Sequence, residues 1–201
     1  MSTAKDLFIT SMDARPDGSV GQGDLSLALA GAELIDLIGA RAVSLDGDRI
    51  VPDGRPALEE GLLGQAAAAL TRQAPYEAVE DWLWRRGRDL SAAYQAALEE
   101  EGHLVRGRRG RLPFGADRLE LADSAGRREA ASRWEAREPV LAALAAAVGI
   151  QGDQSEDEPD LDDEAVTTVL AGVNDAVMEL EAVRQRRSIE KAAFANVWRG
   201  P

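Results

Sequence analysis

The chain has 201 residues and no cysteine, which excludes a disulfide framework, a thiolate metal site and a cysteine nucleophile together. Hydrophobic residues make up 45% but aromatics only 4%, so the core has to be built from Ala, Leu and Val, a composition that favours helix over sheet. A net charge of −13 repels polyanions on average, so any anionic partner must be met by a local basic patch.

The length fits one domain, expected to span 6–198. The start, MSTAKDLFITSM, carries neither a basic leader nor a long apolar run, and no later segment has eighteen consecutive apolar residues, which predicts a soluble, cytoplasmic protein. Asp6 to Met12 alternates loosely and contains β-branched residues, predicting a short first strand closed by the turn Arg15-Pro16-Asp17-Gly18. From Asp24, read as an N-cap, LSLALAGAELIDLIGARAV is apolar nearly all round its wheel except at Glu33 and Asp36. That pattern predicts a buried central helix, with Gly31 and Gly39 allowing close packing. AVSL-Asp46-Gly47-DRIV then predicts a hairpin.

Pro56 can open a helix running to about Arg72. After Pro75, Tyr76 to Arg86 presents Val79, Trp82 and Leu83 on one side, Gly87 breaks the pattern, and Leu90, Tyr94 and Leu98 define a second amphipathic helix that ends at Gly102. A hairpin follows, with Leu104 and Leu119-Glu120-Leu121 as its paired strands. Ser124 to Glu138 and the Ala-rich piece after Pro139 predict two further helices. QGDQSEDEPDLDDE, 151–164, is expected to be a mobile acidic loop, with its last acids opposing the macrodipole of a helix that runs on to Arg187. A separate short helix, SIEKAAFANVW, is expected to dock through Ile189, Phe194 and Trp198.

No enzyme motif is present: there is no GxSxG elbow and no phosphate loop, and Gly18, Gly21 and Gly23 are not spaced as a dinucleotide fingerprint. His103, the single histidine, is ordinarily a structural residue in such a position. Asp153, Glu156, Asp157, Asp160, Asp162 and Asp163 lack the glycine and closing glutamate of a calcium loop and read as solvated acids. The chain is therefore expected to be a non-enzyme without metal or cofactor.

The charge changes sign between Glu99 and Asp123, where Arg106, Arg108, Arg109 and Arg111 fall within six positions beside Leu112 and Phe114. Three readings stay open. The strip is a solvated loop whose charges pair with the acidic body, each exposed pair worth roughly 0–1 kcal/mol. Or its guanidinium groups meet lipid phosphates while Leu112 and Phe114 enter the interface. Or it is the wing of a winged helix, since helix, break, helix and hairpin follow in that order. The last ranks below the membrane reading, because the recognition helix would be Asp89 to Glu101, which has no arginine or lysine and ends in three glutamates. A further option is a protein-interaction module that docks a basic partner on its acidic face. Self-association is left open.

The order DLFITSMD, LALAGAELIDLIGARAV, GRPALEEGLL, LEEEGHL with its hairpin, and VLAALAAAVGI resembles the Golgi phosphoprotein 3 family in its bacterial form. The resemblance covers most of 6–198 and implies a mainly α, single helical domain around a buried central helix, with peripheral β-hairpins. It further implies a non-enzymatic adaptor, peripherally associated with the membrane, that binds phosphatidylinositol 4-phosphate, inserts the hairpin, and has protein partners. The family's head-group residues, a tryptophan and three arginines, align with Gly21, Ala30, Arg88 and Ser91, so only Arg88 matches. Arg85 and Arg86 lie within a turn of it and are expected to join it at the head group.

Overall fold

The computed structural model describes residues 2–14, 20–53, 61–107, 118–150 and 163–197. These form α1 (Thr3–Ala14), α2 (Gln22–Gly39), β1 (Val43–Asp46), β2 (Arg49–Pro52), α3 (Leu62–Ala68) and α4 (Val79–Arg86). They continue as α5 (Leu90–Glu100), β3 (Leu104–Gly107), β4 (Arg118–Leu121), α6 (Ala125–Glu135), α7 (Pro139–Ala147) and α8 (Glu164–Val197). The expected mainly α architecture is present, with two small antiparallel strand pairs.

Every residue of α2 from Leu25 to Ile35 is buried, and so is Leu37. α1, α3, α4, α5, α7 and α8 all pack on it. Gly31 makes the closest of these approaches possible: a Cβ there would lie 2.3 Å from Val173 Cγ2 on α8. Gly39 has no such role, with open space around it. Asp24 is not the N-cap. The helix starts earlier, with Gly21 in the cap position, and Asp24 sits in its first turn.

The two acids that interrupt the apolar wheel of α2 both have partners inside the fold. Asp36 Oδ1 accepts the Thr3 N–H at 3.0 Å and Oδ2 the Ala4 N–H at 3.3 Å, so this side chain satisfies the free amides at the start of α1. That contact helps explain why Asp6–Met12, expected as a strand, lies within a helix. Ala4, Leu7, Phe8 and Ser11 fall at i, i+3, i+4 and i+7 and are all buried, and α1 packs against α2, α6 and α7. Tertiary burial and a remote cap outweigh the β-branched Ile9 and Thr10.

β1 and β2 pair with Asp46 opposite Arg49, leaving Gly47 at φ +60° and Asp48 as the two-residue turn, one position beyond the expected centre. α3 begins at Leu62 and stops at Ala68, short of Arg72; 54–60, the expected start of that helix, lie outside the described residues. Ser124 caps α6, accepting the Arg127 N–H, and Glu138 caps α7, accepting the Leu141 N–H with Pro139 in the first turn.

The expected break before Ser188 is absent. α8 is one helix of 34 residues, and no glycine or proline interrupts it after Gly172. Ile189 is 70% exposed, so it does not dock on the body; the Phe194 side chain and Trp198 lie outside what the structure describes. Asp163 Oδ1 accepts the N–H groups of Ala165 and Val166 at the start of α8, while the acidic stretch 151–162 lies outside the described residues.

Candidate functional site

α4 ends in Arg85 and Arg86, and Gly87 turns the chain into α5. The turn is pressed against α2: a Cβ at Gly87 would approach the Ser26 carbonyl oxygen to 3.2 Å and the Leu27 Cα to 3.4 Å. This corner brings Arg85, Arg86 and Arg88 together in sequence but leaves them in three different environments.

Arg86 points inward. Its Nε and one terminal nitrogen donate to the two Glu33 oxygens at 2.7 and 2.9 Å, and that same nitrogen also reaches the Leu62 carbonyl at 3.1 Å. Glu33 additionally accepts from the Tyr94 hydroxyl at 3.1 Å. With its side chain 0% exposed, Glu33 has its carboxyl held above the ordinary range by burial, against the opposing pull of Arg86 and Tyr94. Burial, then the Glu33 charge, pushes the Tyr94 hydroxyl well up. Arg85 lies on the surface, donating to both Glu77 oxygens at 2.6 and 2.7 Å, with its guanidinium carbon 5.2 Å from the Trp82 ring centre. Arg88 is exposed and has no hydrogen bond or ion pair among the described residues.

The other positions that the resemblance aligns with a head-group pocket are closed. Ala30 is fully buried, and its carbonyl accepts the Trp82 indole N–H at 3.1 Å. Ser91 is buried, donating its N–H to Ser26 Oγ at 2.9 Å. Beside Gly21 lies a cation that the sequence reading missed: Arg184 of α8 donates to Asp24 Oδ1 and Oδ2 at 2.8 and 2.7 Å. Hydrogen bonding to Asp24 pushes its guanidinium still higher. The basic run Arg184-Gln185-Arg186-Arg187 was the available signal, though nothing local ties it to the start of α2.

The second basic element starts at the far end of α5, about 16 Å of helix away from Arg88. β3 and β4 pair in register, Leu104 opposite Leu121 and Gly107 opposite Arg118. Val105 is 47% exposed. The Glu120 carboxylate leans over Gly107, where a Cβ would come within 2.5 Å of it. Arg106 belongs to β3 by its backbone; Arg108, Arg109, Arg111, Leu112 and Phe114 lie outside the described residues. His103 is a structural residue: Nδ1 is 3.0 Å from Ser124 Oγ and Nε2 is 3.4 Å from Glu101.

The family model described as Golgi phosphoprotein 3 (GPP34) matches residues 4–188. The chain belongs to the Golgi phosphoprotein 3 family. No curated protein and no solved structure matched it. Within this Golgi phosphoprotein 3 domain, no described helix is long and apolar enough to cross a membrane, and no described cluster of His, Cys, Asp and Glu could hold a metal ion. A small groove of about 220 Å³ between α1 and α6 is lined by Ile9, Thr10, Asp13, Ala131, Trp134 and Glu135.

Proposed function

We propose that the protein is a non-enzymatic peripheral adaptor that contacts anionic lipid through the basic hairpin. Arg106, Arg108, Arg109 and Arg111 meet phosphates, Leu112 and Phe114 enter the interface, and Arg88 supplies a head-group contact. The observation that carries this reading is the density of arginine at 106–111 on a chain of net charge −13, in a family of adaptors. Basic residues near an anionic surface contribute about 1 kcal/mol each, so four arginines with two shallow apolar side chains give weak, reversible attachment.

The arginine environments favour general anionic contact over selective phosphoinositide recognition. Arg86 is committed to buried Glu33 and Arg85 to Glu77, while Ala30 and Ser91 are packed inside. Of the resemblance's positions, only Arg88 offers a free guanidinium. The winged-helix alternative is not favoured, because α5, its groove-entering helix, has no arginine or lysine and is followed at once by Glu101.

The test is sedimentation with phosphatidylcholine vesicles, with and without about a third phosphatidylserine, across salt. Binding should rise with anionic lipid, fall as salt is raised above about 0.1 M, and be lost when the four hairpin arginines become alanine; adding phosphatidylinositol 4-phosphate at matched charge should change little. Binding that ignores lipid charge, or survives those substitutions, overturns the proposal.

A further inference from the structure

Three large hydrophobic side chains are exposed among the described residues, and two of them, Met178 at 69% and Ile189 at 70%, lie on α8. They are eleven positions apart, which on an α-helix returns to the same face within about 20°. Ala171 and Ala182, both exposed, fall on the same line. The resulting apolar stripe runs about 27 Å along the side of α8 away from Val169, Val173 and Ala176, which are buried in the body.

The residues along this stripe are complementary to the stripe itself. When it is laid antiparallel on a copy with position 180 at the two-fold axis, Met178 faces Ala182 and Ala171 faces Ile189, so each large side chain meets a small one. One flank brings Asp175 within one residue's rise, about 1.5 Å, of the level of Arg186, and the other brings Asn174 equally close to the level of Gln185. Among the described residues Asp175 and Arg186 form no ion pair, and both are exposed. A two-fold contact requires that a surface match itself in this way, because every residue pair occurs twice.

We infer that the outer face of α8 is a self-association surface, on which two copies of this chain pair antiparallel through Met178, Ala182 and Ile189 and through reciprocal Asp175–Arg186 ion pairs. Its occupant is a second copy. Two helices touching over about 27 Å bury less than the roughly 1,000 Å² expected of a stable complex, so the dimer is weak and concentration-dependent.

The absence of cysteine makes the geometry directly testable. Met178→Cys and Ala182→Cys variants, mixed at high concentration and treated with a short bis-maleimide, should give the mixed dimer at least several-fold above either self-linked product; Ala171→Cys with Ile189→Cys should behave alike. A parallel pairing would favour the self-linked products instead, and products no more abundant than with an exposed cysteine introduced at Asp48 would mean no pairing; either result overturns the proposal. Sedimentation velocity supplies the second measurement. Ile189→Glu should abolish the concentration-dependent shift without lowering the melting temperature. Asp175→Arg should weaken it at least tenfold, and adding Arg186→Asp should restore it; a double variant as weak as the single overturns the reciprocal pairing.

Discussion

Replacing Arg86 by methionine tests whether the Arg86–Glu33 pair is a structural element of the core. The Glu33 side chain is 0% exposed and that of Arg86 15%, and the two are joined by bonds of 2.7 and 2.9 Å. Removing one member of a buried pair leaves the other charged and unsatisfied, at a cost of about 3–5 kcal/mol. At roughly 2–4 °C per kcal/mol for a chain of this size, the melting temperature should fall by roughly 6–20 °C. Adding Glu33→Gln should recover most of the loss, because an amide still accepts from Tyr94 and carries no charge. The penalty should also depend on pH. Glu33 already titrates above 4.5 through burial, and without Arg86 it rises further. A group whose folded pKa exceeds its unfolded value holds more protons when folded, so its stabilising contribution is complete below the unfolded value and is lost as pH rises through the folded one. The Arg86→Met defect should therefore be smaller at pH 5 than at pH 7.5, measured by urea denaturation followed through tryptophan fluorescence. A loss under about 1 kcal/mol at pH 7.5, or a loss of equal size at both pH values, would refute the reasoning.

Gly31→Ala brings a methyl group within 2.3 Å of Val173 Cγ2; overpacking of about 1–3 kcal/mol should outweigh the roughly 1 kcal/mol that alanine adds to helix propensity. A lower melting temperature, largely recovered by Val173→Ala, is the expected result. Ser124→Ala removes the side-chain acceptor of the Arg127 N–H and the partner of His103, and should cost about 1 kcal/mol in urea denaturation. Arg88→Glu should leave the melting temperature within 1–2 °C of the parent while lowering sedimentation with anionic vesicles; Arg86→Glu, by contrast, should fail first in stability.

The parts of the fold that could be read from sequence are those whose cause is local. A helix apolar on nearly every face can only be central, and α2 is; Asp46-Gly47 between alternating pieces announces a hairpin, and β1–β2 is one. α1 was misread because its decisive partners are distant: the carboxylate at the start of the helix comes from Asp36, more than thirty positions along the chain. The same holds for the arginines. Arg85, Arg86 and Arg88 look alike in sequence, and what separates them is Glu77, Glu33 and open solvent. Glu33 and Asp36 stood out as interruptions of an apolar wheel. That was the correct signal, since a charge inside such a helix has to find a partner, but one sequence cannot name which of many cations it is.

Pairing also decides where this acidic protein can meet an anion. An arginine bound to a carboxylate adds little to the outside field, because the partner cancels it within a few ångströms. Arg85, Arg86, Arg127, Arg128, Arg133 and Arg184 are all bound in this way. Of the described arginines at the α4–α5 corner, Arg88 alone is left uncommitted, and it is the one that would act with the hairpin arginines proposed to meet an anionic surface. At 0.1 M salt the screening length is about 10 Å, so these few charges act only near contact, while the net negative body is felt from further away at low salt. Lowering the ionic strength should then strengthen the repulsion of the body along with the attraction of the hairpin. Vesicle binding should therefore level off or decline at the lowest salt, whereas a uniformly basic membrane protein would keep tightening.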